Sequence, residues 1–160
     1  TNCAGFEENG KMKKLILLMA LVMTNHAYAE RWVNLSAGKT SSDSIDEKIS
    51  IQIDASSIRE RNGMRQAWWR QNFFPVRPGT TPAHNIGSIL FLHLFDCKNA
   101  EAAIFESVLF TRQFSAGDES FGVKLSRGEA LKIMRSALPG SIGEDVLSYV
   151  CAYPLQLSTK

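Results

Sequence analysis

Histidine, cysteine and long apolar runs are scarce in this chain of 160 residues, and each scarcity closes a class of function. The three histidines are His26, His84 and His93, and no His-x-x-x-His or Cys-x-x-Cys spacing occurs. The clustered nitrogen and sulfur ligands of a zinc site are therefore missing, and no metal or cofactor is expected. His93 stands inside an apolar run and is read as a core or edge residue rather than a ligand. A Gly-x-Ser-x-Gly nucleophile elbow is absent. Gly38-Lys39-Thr40 looks like the end of a phosphate-binding loop, but Val33 stands where the first glycine of that loop is required. Ser36 and Lys39 have the spacing of a Ser/Lys nucleophile pair without any companion motif. No carboxylate pair stands out, and the reading is a protein that is not an enzyme. Repeats and low-complexity tracts are also lacking.

The one conspicuous apolar run is Leu15–Met23, about nine residues, too short to cross a bilayer, which takes about 20. It follows the positive cluster Lys11, Lys13 and Lys14 and precedes Ala27-Tyr28-Ala29. Charged segment, apolar segment and small-x-small triplet are the three parts of a secretory signal peptide. A core helix would alternate polar and apolar faces, and this run is apolar all round. The expected organisation is an upstream extension or over-extended gene start at 1–11, a signal peptide at 12–29 with cleavage after Ala29, and one domain over 30–160. An exported protein found in the periplasm, in the medium or at the cell surface follows. With no second apolar span, no transmembrane segment is expected after cleavage.

Of 18 Lys and Arg, Lys11, Lys13 and Lys14 precede residue 30, as do Glu7 and Glu8 of 16 Asp and Glu, so the domain carries a net charge of +1. Such a balance offers no general attraction to nucleic acid or to an anionic membrane. Cys97 and Cys151 are the two cysteines of the domain. In an oxidising compartment an even pair reads as a disulfide, and two free buried thiols are the alternative.

Periodicity then outlines the domain. Ile49, Ile51 and Ile53 alternate with polar residues as in a strand with one apolar face. Asn62-Gly63 is a two-residue hairpin signal, with a returning strand over 64–73 in which Trp68 and Trp69 must point to opposite faces. Pro75, Pro78, Gly79 and Pro82 mark a loop. Gly87–Asp96 is apolar on both faces and fits a central strand, and 103–114 reads as a long strand with room for a bulge. A weaker strand is expected over 121–125. The segment 126–138 has both a capping box (Ser126, Glu129) and strand potential, and either form fits. Pro139-Gly140 breaks the chain before Ser141 and Glu144 start a helix with Ile142, Val146 and Val150 on one face, ending at Cys151. The class is α+β: an antiparallel sheet with one or two helices packed on it.

One segment is chemically distinctive. Arg59, Arg61, Arg65, Arg70 and Arg77 stand against a single acid, Glu60, and are interleaved with Trp68, Trp69, Phe73 and Phe74. Arginine with aromatic rings is the composition of binding hot spots. An apolar core with solvated arginines on its outer face gives the same composition, and both readings stand. Arg59, Arg61, Arg65, Trp68, Trp69, Arg70 and Arg77 are the candidate binding residues, for a protein or glycan ligand.

The order of several short elements is similar to a known family. Trp32, Ile51-Gln52-Ile53-Asp54-Ala55-Ser56-Ser57-Ile58-Arg59, Gly63, Trp68 or Trp69, Phe95-Asp96-Cys97, and Pro139-Gly140-Ser141 with Cys151 together resemble the surface-adhesin protein E family of Gram-negative bacteria. The resemblance spans Arg31 to about Tyr153. It implies a six-stranded antiparallel sheet with a C-terminal helix, no enzymatic activity, and attachment to host extracellular-matrix or serum proteins such as vitronectin and laminin. The family's namesake is a lipoprotein, whereas 23–29 contains no lipobox cysteine. That departure favours the other expectation, a periplasmic accessory or inhibitor protein acting on an envelope enzyme or assembly.

Overall fold

The computed structural model describes residues 30–39, 48–78 and 85–155, with the side chains of 36–39 left aside. The stretches read as upstream extension and signal peptide, and His84 in the proline-flanked loop, lie outside the described residues. Six strands form one antiparallel path in the order β1 (Trp32–Lys39), β2 (Lys48–Asp54), β4 (Met64–Arg77), β5 (Ile86–Asp96), β6 (Glu101–Arg112), β7 (Ala116–Lys124). Two short strands join from the side: β3 (Arg59–Arg61) pairs with β4, and β8 (Arg135–Ser136) pairs with β6. A helix, α1 (Arg127–Lys132), precedes β8, and α2 (Ile142–Ala152) closes the chain. The α+β reading and the C-terminal helix are as expected.

Local chemistry accounts for most boundaries. A 3₁₀ turn, Ala55–Ser57, separates β2 from β3, capped by the Asp54 carboxylate, which accepts from the Ser56 amide at 2.9 Å. Asn62 and Gly63 take φ of 55° and 72°, the pair of left-handed conformations that a two-residue hairpin turn needs. Phe105 is the extra residue of a bulge in β6, since Leu92 faces Glu106 while His93 faces Ile104. The ambiguous segment 126–138 resolves into both forms. Ser126 and Glu129 make a full capping box on α1, and two residues of strand follow at β8.

Two expectations need correction, and one strand was not anticipated. The loop expected from Pro75 begins later, because β4 runs on to Arg77. Pro75 is tolerated there because the ladder is interrupted: β5 partners are recorded for Asn72 and Arg77 but not between them, so no amide proton is needed at Pro75. The weaker strand at 121–125 starts at Ala116, where exposed polar residues hide the alternation. Finally β1 carries no clean apolar period, because a bulge between Asn34 and Ser36 changes its side-chain parity.

The sheet has one heavily buried face. Ile49, Ile51 and Ile53 of β2, Ala67, Trp69 and Phe73 of β4 and Phe95 of β5 pack with Val146, Leu147 and Val150 of α2. The helix begins at Ser141, whose side chain accepts from the Glu144 amide, while the Glu144 carboxylate accepts from Gly140 rather than from Ser141 itself. At its other end the Cys97–Cys151 disulfide ties α2 to the end of β5, as the cysteine count anticipated. Its sequence separation of 54 residues corresponds to about 4 kcal/mol in the chain-entropy view. A smaller cluster, Leu94, Ala103 and Ala130 with Phe105 and Met134, seats α1 on the opposite face.

His93 lies on the α2 side, with Trp69, Phe91 and Phe95 rings at 5.3, 5.7 and 5.7 Å. Its Nε2 is buried without a hydrogen-bond partner among the described residues. Desolvation pushes its pKa down to about 4 from 6.5, so the fold holds the ring neutral. The neutral ring's contribution is complete above pH 6.5 and is lost as pH falls towards 4, about 3 kcal/mol in all. Urea unfolding at pH 7.5 and pH 4 should show that loss, and His93→Phe should remove most of it. An equal pH dependence in the variant would place the acid sensitivity elsewhere.

Candidate functional site

The structure divides the seven candidate residues of Arg59–Arg77 among three settings. Along β4, odd-numbered residues face α2 and even-numbered ones face the opposite side, because Trp69 pairs with Ile53 while Arg70 pairs with Gln52. Trp69 is a core residue, 5% exposed, stacked on Phe91 at 4.4 Å. Arg77 lies over the Phe73 ring at 4.1 Å.

Arg65 also belongs to the helix side. Its Nη1 approaches the carbonyl oxygens of Val150, Cys151 and Tyr153 at 2.5, 3.0 and 2.8 Å, and its Nε meets Glu60 at 3.5 Å. Two protons on one nitrogen are thus shared among three acceptors. The last carbonyls of a helix have no partner within it and carry its negative end. No basic residue occupies the last turn of α2, and Arg65 supplies that charge from a strand 85 residues earlier.

Trp68 and Arg70 lie on the opposite face. Arg70 is 8% exposed, and its guanidinium stacks at 3.9 Å over Trp32 of β1 and at 5.4 Å from the ring of Phe114. Its Nε donates to Gln52 Oε1 at 2.7 Å and its Nη1 to the Phe114 carbonyl at 3.0 Å. Nη2 has no partner among the described residues and is not sealed from solvent. Burial holds this guanidinium below its ordinary pKa, and the Glu30 carboxylate, which also accepts from Trp32 Nε1 at 2.8 Å, partly offsets that. Arginine stays charged regardless. The result is a guanidinium seated on Trp32 with the Phe114 ring close by and one donor edge left over.

Phe114 reaches this position through an unusual turn. Phe114 and Ser115, between β6 and β7, have φ of 60° and 58°, a left-handed conformation that side chains disfavour. Fully buried polar side chains hold it there. Asn72 Oδ1 accepts from the Phe114 amide at 2.6 Å, and Ser88 Oγ accepts from the Ser115 amide at 2.9 Å. Ser88 Oγ also donates to the Arg112 carbonyl at 2.8 Å, and Gln113 Nε2 donates to the Phe73 carbonyl at 3.0 Å. Four side chains therefore fix a turn whose central ring is 49% exposed. Rings held in place before contact lose little entropy on binding.

Arg59 and Arg61 occupy the third setting, the exposed tip of the β3–β4 hairpin. They pair with Gln66 and Met64 and so share the face opposite α2, while Glu60 between them turns to Arg65. Arg127 of α1 joins them by donating from Nη2 to the Arg61 carbonyl at 3.2 Å.

Sequence reasoning missed Phe114, Asn72, Ser88 and Gln52. Ser88 interrupts an otherwise apolar strand, and Asn72 a strand rich in aromatics; those were the available signals. Nothing in the sequence marks Phe114 as left-handed. Among the described residues no group of three His, Cys, Asp or Glu side chains is placed to hold a metal ion. No helix of the described residues is long and apolar enough to cross a membrane.

A family model described as surface-adhesin protein E matches residues 32–152. No curated protein matches the sequence significantly. Among solved structures, crystal form II of Haemophilus influenzae protein E is similar at 16% identity, with a TM-score of 0.51 over 64% of this chain and 81% of that one. Its selenomethionine form matches at 15% identity and 0.49, over 64% and 78% of the two chains. At such identities the likeness is one of fold, and it rests on the first of these structures.

The helix side and the hairpin tip separate in their expected effect on stability. Arg65→Met should cost roughly 2 kcal/mol in urea unfolding, because it strips charge-assisted bonds from the end of α2. Arg59→Ala and Arg61→Ala should each stay within about 0.5 kcal/mol of the parent. An unchanged midpoint in Arg65→Met would mean that water satisfies those carbonyls equally well.

Proposed function

The chain belongs to the surface-adhesin protein E family, and from that membership we propose that it is an exported, non-enzymatic binding protein that contacts host extracellular-matrix or serum proteins of the vitronectin and laminin kind. The contact surface is the sheet face opposite α2, centred on Trp32, Arg70 and Phe114 with Trp68 beside them. Export rests on the signal-peptide pattern at 12–29.

The observation that carries this reading is the held Phe114 turn. A fold places polar side chains in its interior at a cost, and each of these must be hydrogen-bonded to persist. Here Arg70, Asn72 and Ser88 converge on one turn, and its product is an exposed ring beside a stacked guanidinium. Strain of this kind concentrates where a protein acts, and arginine with Trp and Phe is the composition that dominates interface energetics.

Binding of the purified protein to immobilised vitronectin and laminin tests the proposal directly. The parent should bind at least one of them, and Phe114→Ala should weaken that binding about tenfold, the scale of one hot-spot residue. Its urea midpoint should stay close to the parent's, since the ring is half exposed. Failure of the parent to bind either protein, together with confinement to the periplasm on cell fractionation, would sink this reading and favour the accessory or inhibitor role.

A further inference from the structure

Arg59, Arg61 and Arg127 are brought together by tertiary structure, and none of them has an ion-pair partner among the described residues. The nearby acids are engaged elsewhere. Glu60 faces the other side of the hairpin with Arg65, and Glu129 accepts from the Ser126 amide in the cap of α1. Arg127 Nη2 reaches the Arg61 main chain, so two like-charged residues 66 positions apart are held side by side. Three arginines without a salt-bridge partner in one region of the surface raise its positive potential, which attracts an anionic ligand.

We propose that these three arginines form an anion site for a sulfated glycan chain. Alternate residues of a strand are about 6.8 Å apart, so Arg59 and Arg61 address successive charges along a polymer rather than one isolated anion. The side chains paired with them across the hairpin are Gln66 and Met64, and Trp68, next on that face of β4, is half-buried, so the arginine pair has no row of exposed rings for successive bases to stack on. A polymer carrying sulfates in series and no bases fits that combination. The arginines share the sheet face that carries Phe114, but Gln66 stands four residues along β4 from Arg70, about 13 Å, so the arginine site and the Phe114 ring can be removed one at a time.

The test uses the full chain with heparin as the probe. The parent should bind heparin at about 0.15 M salt and lose affinity linearly with the logarithm of salt concentration, as counterion release requires. Each of Arg59→Ala, Arg61→Ala and Arg127→Ala should lower that slope by about 1, and the triple variant should bind at least tenfold more weakly. Arg135→Ala, which removes an equal charge from β8, should leave affinity unchanged. Desulfated heparin should bind at least tenfold more weakly than heparin. The proposal is overturned if the parent does not bind heparin, if Arg127→Ala binds like the parent, if desulfated heparin binds equally, or if a single-stranded oligonucleotide binds more tightly than heparin. Retained vitronectin or laminin binding by the triple variant would confirm that the two sites are distinct, and heparin binding by Phe114→Ala would do the same from the other side.

Discussion

The attachment of α2 to one face of the sheet organises everything else in the molecule. An open antiparallel sheet has two faces, and it gains stability only where one is covered well enough to exclude water. Val146, Leu147 and Val150 provide that cover over the isoleucines of β2 and the aromatics of β4 and β5. Two chemically independent ties then hold the far end of the helix in place. The Cys97–Cys151 disulfide restricts the chain covalently, and Arg65 satisfies the carbonyls that a helix end leaves open. Because the disulfide acts largely on the unfolded ensemble and Arg65 on the folded one, they stabilise by different routes.

Once that face is assigned to the core, the alternation of each strand assigns the rest. Trp69 and Trp68 are neighbours in sequence, yet one stacks inside on Phe91 while the other stands among half-exposed residues on the far face. The same alternation sends Arg65 to the helix end and Arg70 to the aromatic stack. On the far face the organising chemistry is polar. Asn72 and Ser88 are fully buried, and their role is to fix the turn that carries Phe114. Hydrophobic burial thus builds the scaffold, and directional hydrogen bonds shape the surface it presents.

Family membership and structural likeness carry different weight here. The family model spans most of the described domain, whereas the solved protein E structure shares its fold at 16% identity. A fold is a scaffold on which many sites are built, and binding surfaces vary faster than cores. The shared fold therefore assigns no ligand, and what the far face can contact depends on the residues displayed there.

Periodicity, cap chemistry and cysteine count were enough to read the α+β class, the central strands, the Asn62-Gly63 hairpin, the C-terminal helix and the disulfide. These depend on interactions local in sequence, or on a pairing with one possible solution in the domain. The extension of β4 through Pro75, the bulged β1 and the start of β7 were not legible, because ladder gaps and bulges disrupt the alternation that marks a strand. The arginine-rich segment could be recognised as distinctive but not divided. Which of its arginines caps a helix, which lies over an aromatic ring and which is left without a counter-charge depends on partners 38 to 88 residues away. Only the tertiary structure decides that, since the strength of a guanidinium's contacts is set by burial and geometry, and neither is written in the local sequence.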